Sequence, residues 1–185
     1  MIASINRMRM LNPLRVKSET ITTTQNVAQV GANSRGAIME YVYSDGGRSA
    51  AGYRGAAGDC VVRAISIASG KHYEDVYKCL SEGMKSQRSS KRKKRSASAR
   101  DGVSVTRKWF KDLMHEWGFV WVPTMTIGSG CKTHLRDGEL PLGKLVVSLS
   151  KHYCAVIDGV IYDTHDPSRD GTRCVYGYWI QEDAK

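Results

Sequence analysis

The hydrophobic period of the chain changes at Gly118, and this change constrains the fold more than any other feature. Before Gly118, apolar residues recur at the three- and four-residue spacing of amphipathic helices. After it, they form short runs rich in β-branched and aromatic residues, which are typical of strands. Helices followed by strands favour an α+β fold in which an N-terminal helical part packs on a C-terminal antiparallel sheet.

Three helices are predicted in the first part of the chain. The first begins after a glycine-rich stretch, with Asp59 as its expected cap, and ends at Gly70. The second is expected at 72–84, and the third ends at Gly118. Their apolar stripes are Val61, Ala64, Ile65 and Ala68; Tyr73, Val76, Tyr77 and Leu80; and Trp109, Phe110, Leu113, Met114 and Trp117.

Strands are predicted at 119–123, 145–150, 152–157, 160–164 and 173–180, with a weaker candidate at 39–44. The dipeptide Asp158-Gly159 separates two of these runs, and it is a strong signal for a two-residue hairpin because a type I′ turn needs positive φ at both central positions. The hairpin pairs are then Ile157 with Val160, Val156 with Ile161, Ala155 with Tyr162, and Cys154 with Asp163.

The hairpin register selects a possible catalytic group. His152 and Asp163 fall on one face of the hairpin as diagonal neighbours, within reach of an imidazole–carboxylate contact, whereas Asp166 has the opposite parity. Cys60 lies in the first turn of the first helix, where the helix dipole lowers a thiol pKa and free N–H groups can bind an oxyanion. We therefore expect Cys60 as nucleophile, with its own N–H in the oxyanion hole, His152 as base and Asp163 as the group that orients the imidazole.

This order of Cys at a helix start, then His and Asp on neighbouring strands, resembles the papain-like cysteine hydrolases. The strings GDCVVRAI and HYCAVIDGVIYDT are similar to those of small phage and bacterial proteins of that type. The resemblance implies a papain-like fold and a thiol peptidase or isopeptidase, or a related acyl transferase, that forms a thioester with a protein or peptide substrate. For a phage-encoded member it implies action on host proteins. The Gln that precedes the nucleophile in papain itself is absent from GYRGAAGD, so the oxyanion donors would be backbone groups.

Other candidates rank lower. Cys154 is a second possible nucleophile, but a thiol in mid-strand lacks the helix dipole. His165 and Asp166 lie in the sequence HDPSRDG, which is typical of a turn. The spacing of the remaining histidines and cysteines matches no metal site, so neither a metal nor a cofactor is expected. That set is Cys79, His115, Cys131, His134 and Cys174.

Charge is concentrated in one segment. The net charge is +10, and residues 85–100 hold eight Lys or Arg residues and no acidic residue. We expect a mobile loop there that contacts polyanions without sequence specificity, or that recruits an acidic substrate. The alternative function is a noncatalytic protein that binds nucleic acid or an acidic partner through this loop. The polyanion-binding residues would be Lys91, Arg92, Lys93, Lys94 and Arg95.

Length and composition limit the number of domains and the location of the protein. The 185 residues suit one domain, expected at 36–185, preceded by a poorly ordered arm at 1–35. No apolar run is long enough for a membrane span, and charges interrupt the N-terminus before a signal peptide could form. Five widely spaced cysteines favour reduced thiols and a cytoplasmic location, which is the host cytoplasm for a phage protein.

Overall fold

A computed structural model describes residues 37–86 and 98–182, so the arm predicted at 1–35 lies outside the described residues. The helices are α1 (Cys60–Ser69), α2 (Tyr73–Lys85) and α3 (Lys108–Glu116), with a short 3₁₀ helix at Ala99–Asp101. The strands are β1 (Glu40–Tyr43), β2 (Phe119–Pro123), β3 (Lys144–Leu149), β4 (His152–Ile157), β5 (Val160–Asp163) and β6 (Val175–Gln181). Across these two ranges, no helix has both the length and the apolar character needed to cross a membrane.

The helices form where the apolar stripes predict them. Every stripe residue of α1 is buried, and the helix ends at Gly70, whose φ of 70° is a left-handed conformation that glycine adopts without strain. In α2 the buried apolar residues are Tyr73, Val76 and Leu80. These stripes form a core against one face of the sheet, where Ala155 of β4 contributes.

The six strands form one mixed sheet in the order β1-β5-β4-β3-β6-β2. The α+β class is confirmed, and the C-terminal strands β2 to β6 pair antiparallel as expected. The expected sheet lacked β1, which runs parallel to β5 at the sheet edge and makes the sheet mixed. The second face of the sheet has its own core, which includes Leu145, Cys154 and Ile161. Both faces of the central strands are therefore covered, and catalytic groups can be exposed only at strand ends.

The β4–β5 hairpin has the predicted register. Its pairs are Ile157–Val160, Val156–Ile161 and Ala155–Tyr162, and the ladder stops before the expected Cys154–Asp163 pair. A second two-residue turn joins β3 to β4, because Leu149 pairs with His152. Lys151 in that turn has a φ of 58°. The two turns hold His152 at the first position of a central strand.

The cysteines depart from the prediction. Cys131 and Cys174 form a disulfide bond across 43 residues, so the expectation of uniformly reduced thiols is wrong for this pair. The bond joins the loop before β3 to the segment before β6, next to the bridge between His134 and Cys174. Cys60, Cys79 and Cys154 are free thiols.

The basic segment is shorter than predicted at both ends. Lys85 is the last residue of α2, and Ala99 in the 3₁₀ helix is fully buried, so neither belongs to a solvated loop. The expected polyanion-binding residues, Lys91 to Arg95, lie outside the described residues.

Candidate active site

Cys60 is the first residue of α1, at the end of the sheet where β4 begins. Its side chain is half-buried and lines a cleft of about 500 Å³. His152 and the glycine-rich loop before α1 line the same cleft. The lining residues that carry polar side chains are Tyr43, Asp45, Arg48, Ser49, Cys60, Arg63, Lys151, His152, Thr164 and His165.

Asp59 does not cap the helix as expected. It occupies the N-cap position, but its side chain makes no capping hydrogen bond. Its buried carboxylate instead accepts hydrogen bonds from Arg48, Arg63 and Tyr73. Burial, followed by the contact with Asp59, raises the pKa of the Tyr73 hydroxyl. The N–H groups of the first turn beside Cys60 are thus left without a side-chain cap.

The loop before α1, which lines the cleft, is held in place by hydrogen bonds from Arg48. Arg48 donates to Asp59 Oδ2 at 2.9 Å and also to the carbonyl oxygens of Tyr53 and Arg54, at 3.2 and 3.1 Å. A Cβ atom at Gly46 would lie 3.0 Å from the Arg63 carbonyl oxygen, so the loop packs closely on α1 only because this residue is glycine. These contacts fix the loop against the helix that carries Cys60.

His152 and Asp163 are brought together at the ends of β4 and β5. The Nε2 atom of His152 hydrogen-bonds to Oδ2 of Asp163, whose side chain is 2% exposed. The other carboxylate oxygen, Oδ1, accepts from the Thr164 N–H at 2.7 Å and lies 3.9 Å from Arg63 Nη2. Because Nε2 is engaged by Asp163, Nδ1 is the ring nitrogen that is left for another partner.

The His152 ring has a raised pKa. Burial alone would lower its pKa, but hydrogen bonds with Asp163 and with Cys60, and the charges of the same two residues, raise the pKa of His152 to about 9. The buried Asp163 carboxylate on one ring nitrogen favours the imidazolium form. The arrangement can therefore keep the His152 ring protonated at neutral pH.

The lower-ranked candidates lie elsewhere in the core or the cleft. Cys154 is 1% exposed, and burial raises the pKa of its thiol well above the ordinary value, so it is a core residue and a poor nucleophile. Asp166 accepts a hydrogen bond from the Ser168 N–H within a turn. His165, in contrast, lines the cleft, and its ring lies 4.9 Å from the His152 ring.

One group of side chains has donor atoms close enough to hold a metal ion. His152, Asp163 and His165 each offer one ligand atom, and the three atoms lie within 4.8 Å of one another. The HDPSRDG sequence predicted only a turn at His165 and gave no indication of this group. The available sign was the Asp-Thr-His sequence, in which His165 follows Asp163 by two residues.

Sequence reasoning also missed three residues that position the site: Arg48, Arg63 and Tyr73. Only Arg63 had a local signal, since it lies four residues after Asp59 on the same helix face, the spacing of helical ion pairs. Arg48 and Tyr73 reach Asp59 from 11 and 14 residues away, which no short-range pattern indicates.

Comparison with known proteins gives no relative. No family model, curated protein or solved structure matches this chain significantly.

Proposed function

We propose that the protein is a cysteine-dependent hydrolase with a papain-like arrangement, in which Cys60, His152 and Asp163 act as nucleophile, acid–base and orienting group. One observation carries the proposal: His152, whose Nε2 hydrogen-bonds to a buried carboxylate, lines the same open cleft as Cys60, and Cys60 is among the groups that raise the pKa of its ring. This is the pattern of an activated nucleophile, in which a base is itself oriented by a third group.

The reaction would run in two halves. The Cys60 thiolate attacks a carbonyl carbon and forms a tetrahedral intermediate, and the imidazolium of His152 gives its Nδ1 proton to the leaving amine as the thioester forms. Water then attacks the thioester while neutral His152 accepts a water proton, and the acid product leaves with Cys60 regenerated. Asp163 keeps the ring oriented throughout.

Backbone groups supply the remaining element of the mechanism. The first-turn N–H groups of α1 carry no side-chain cap, because Asp59 is turned towards Arg48, Arg63 and Tyr73. In the proposed mechanism the Cys60 N–H would stabilise the oxyanion, together with the positive end of the helix dipole. A peptide or isopeptide bond is the proposed substrate, and acyl transfer to an amine would use the same thioester.

The test compares two thiols of one molecule. Cys79 is an exposed free thiol on α2 and is an internal control for Cys60. At pH 6 an ordinary thiol is less than about 1% thiolate. We expect iodoacetamide to modify Cys60 at least about tenfold faster than Cys79, as peptide mass spectrometry would measure. His152→Gln should bring Cys60 to the rate of Cys79.

A second probe tests acyl transfer itself. In 4-nitrophenyl acetate the thiolate would displace 4-nitrophenolate and form an acetyl thioester, giving a burst of product and an acetyl group on Cys60. Cys60→Ala should abolish the burst, and Cys79→Ala should leave it unchanged. Equal modification of both thiols at pH 6, with no acetyl group on Cys60, would refute the hydrolase and leave the noncatalytic function of the basic segment as the alternative.

A further inference from the structure

We propose that His152, Asp163 and His165 form a Zn²⁺ site that switches the protein off by occupying the Nε2 side of His152. The metal site itself stands on geometry alone, and its inhibitory effect rests on the proposed function. Two imidazoles and one carboxylate are a donor set typical of zinc sites that keep one position open to solvent.

The three donors need only a small adjustment to bind an ion. Zinc holds nitrogen and oxygen ligands at about 2.0–2.1 Å, so its donors lie roughly 3.3 Å apart. Those of His152, Asp163 and His165 already lie within 4.8 Å of one another. His165 is exposed and lines the cleft, so its ring can move towards the other two donors, and an ion can reach them from solvent.

The carboxylate is already oriented as a ligand. Oδ1 of Asp163 is held by the Thr164 N–H, which leaves Oδ2 directed at Nε2 of His152. Zinc would replace the proton that these two atoms share, and that proton would pass to solvent. Arg63, whose Nη2 lies 3.9 Å from Asp163 Oδ1, places a positive charge nearby, so we expect micromolar rather than nanomolar affinity.

The ion would stop proton transfer without touching the nucleophile. In the proposed mechanism, proton transfer uses Nδ1, the ring nitrogen that Asp163 does not engage. With zinc on Nε2, Nδ1 keeps its hydrogen and cannot accept a proton from water, so the thioester would not be hydrolysed. Acylation by 4-nitrophenyl acetate would continue, because nitrophenolate leaves without needing a proton.

Calorimetric titration of the full-length Cys79→Ser protein with ZnCl₂ tests the site, since this background removes the exposed thiol. We expect one ion per chain, and His165→Ala should weaken binding by at least about tenfold. His72→Ala, which removes an exposed histidine outside the cleft, and Cys60→Ser should both bind as the parent does. Equal binding by the His165→Ala variant, or loss of binding in Cys60→Ser, would overturn the site.

Inhibition by zinc is tested by a separate measurement. Zinc should leave the nitrophenolate burst intact and reduce steady-state turnover by at least about tenfold, and EDTA should restore it. In His165→Ala, the same zinc concentration should leave turnover unchanged. If the protein binds zinc tightly but gives no burst in the absence of metal, the proposed function and its regulation are both refuted. If the protein gives a burst but binds no zinc, only the zinc site is refuted.

Discussion

Arg63 Nη2 lies 3.9 Å from Asp163 Oδ1, while Nη1 of the same guanidinium hydrogen-bonds to Asp59. One side chain, 11% exposed, therefore joins the helix that carries Cys60 to the strand pair that carries His152. Two carboxylates that are each nearly inaccessible share this cation, and Arg48 supplies a second one to Asp59. The two guanidinium groups therefore lie beside the two buried carboxylates, so this region of the core holds cations next to anions.

Arg63→Met should destabilise the protein strongly. Among the described residues, it leaves Asp163 without a neighbouring guanidinium and Asp59 with Arg48 as its one remaining cation. Breaking a buried ion pair by removing one partner costs about 3–5 kcal/mol. Urea unfolding followed by circular dichroism would measure the loss. Lys108→Met breaks an exposed i,i+4 pair with Asp112 and is the matched control, with no expected change in the unfolding midpoint. Similar midpoints for the two variants would show that the Arg63 contacts contribute little.

The part of the site that could be predicted from sequence is the part fixed by local rules. A two-residue turn at Asp158-Gly159 sets the register of β4 and β5, and side-chain alternation then decides which residues share a face with His152. The position of Cys60 follows in the same way from the end of the glycine-rich stretch and the stripe of α1. Each inference needed only neighbours in the chain.

The features that could not be predicted depend on contacts between distant segments. Asp59 is predicted to be a cap because Asp is a common N-cap residue before an apolar stripe. In the structure its carboxylate instead bonds to Arg48 and Tyr73. The parallel pairing of β1 with β5 joins residues about 120 positions apart, such as Tyr41 and Ile161, and nothing in a four-residue strand specifies its partner.

The pKa of His152 predicts a pH-dependent stability. Its folded-state pKa of about 9 lies above the ordinary 6.5, so folding favours the protonated ring. This stabilisation is complete below pH 6.5 and is lost as the pH rises through about 9. In EDTA-treated protein, the free energy of unfolding should therefore fall between these values more steeply than in His152→Gln. NMR titration of the ring should also give a lower pKa in Asp163→Asn. If the free energy of unfolding depends on pH in the same way in the parent protein and in His152→Gln, the raised pKa of His152 is contradicted.

Gly83→Ala should destabilise the protein although alanine favours helices. Gly83 lies inside α2, where the change would gain about 1 kcal/mol of helix propensity. An added Cβ, however, would lie 2.3 Å from two atoms of the Trp109 ring, so the ring would have to move. Such overpacking typically costs about 1–3 kcal/mol. Trp109→Leu should remove the clash, and Gly83→Ala should then be neutral or stabilising in that background. Thermal unfolding of the four proteins forms a double-mutant cycle, and additivity would contradict the clash.

Loss of the Cys131–Cys174 bond should lower stability without affecting the nucleophile. The bond closes a loop across 43 residues, and removal of a disulfide typically costs about 2–4 kcal/mol because the unfolded chain gains freedom. Neither cysteine lines the cleft that holds Cys60. The double variant Cys131→Ala and Cys174→Ala should therefore unfold at lower urea concentration, while folded protein keeps the rate of Cys60 modification at pH 6. Cys79→Ala, which removes a free exposed thiol, controls for the substitution and should unfold as the parent does. A slower reaction of Cys60 in the folded double variant would mean that the bond also holds the cleft in shape.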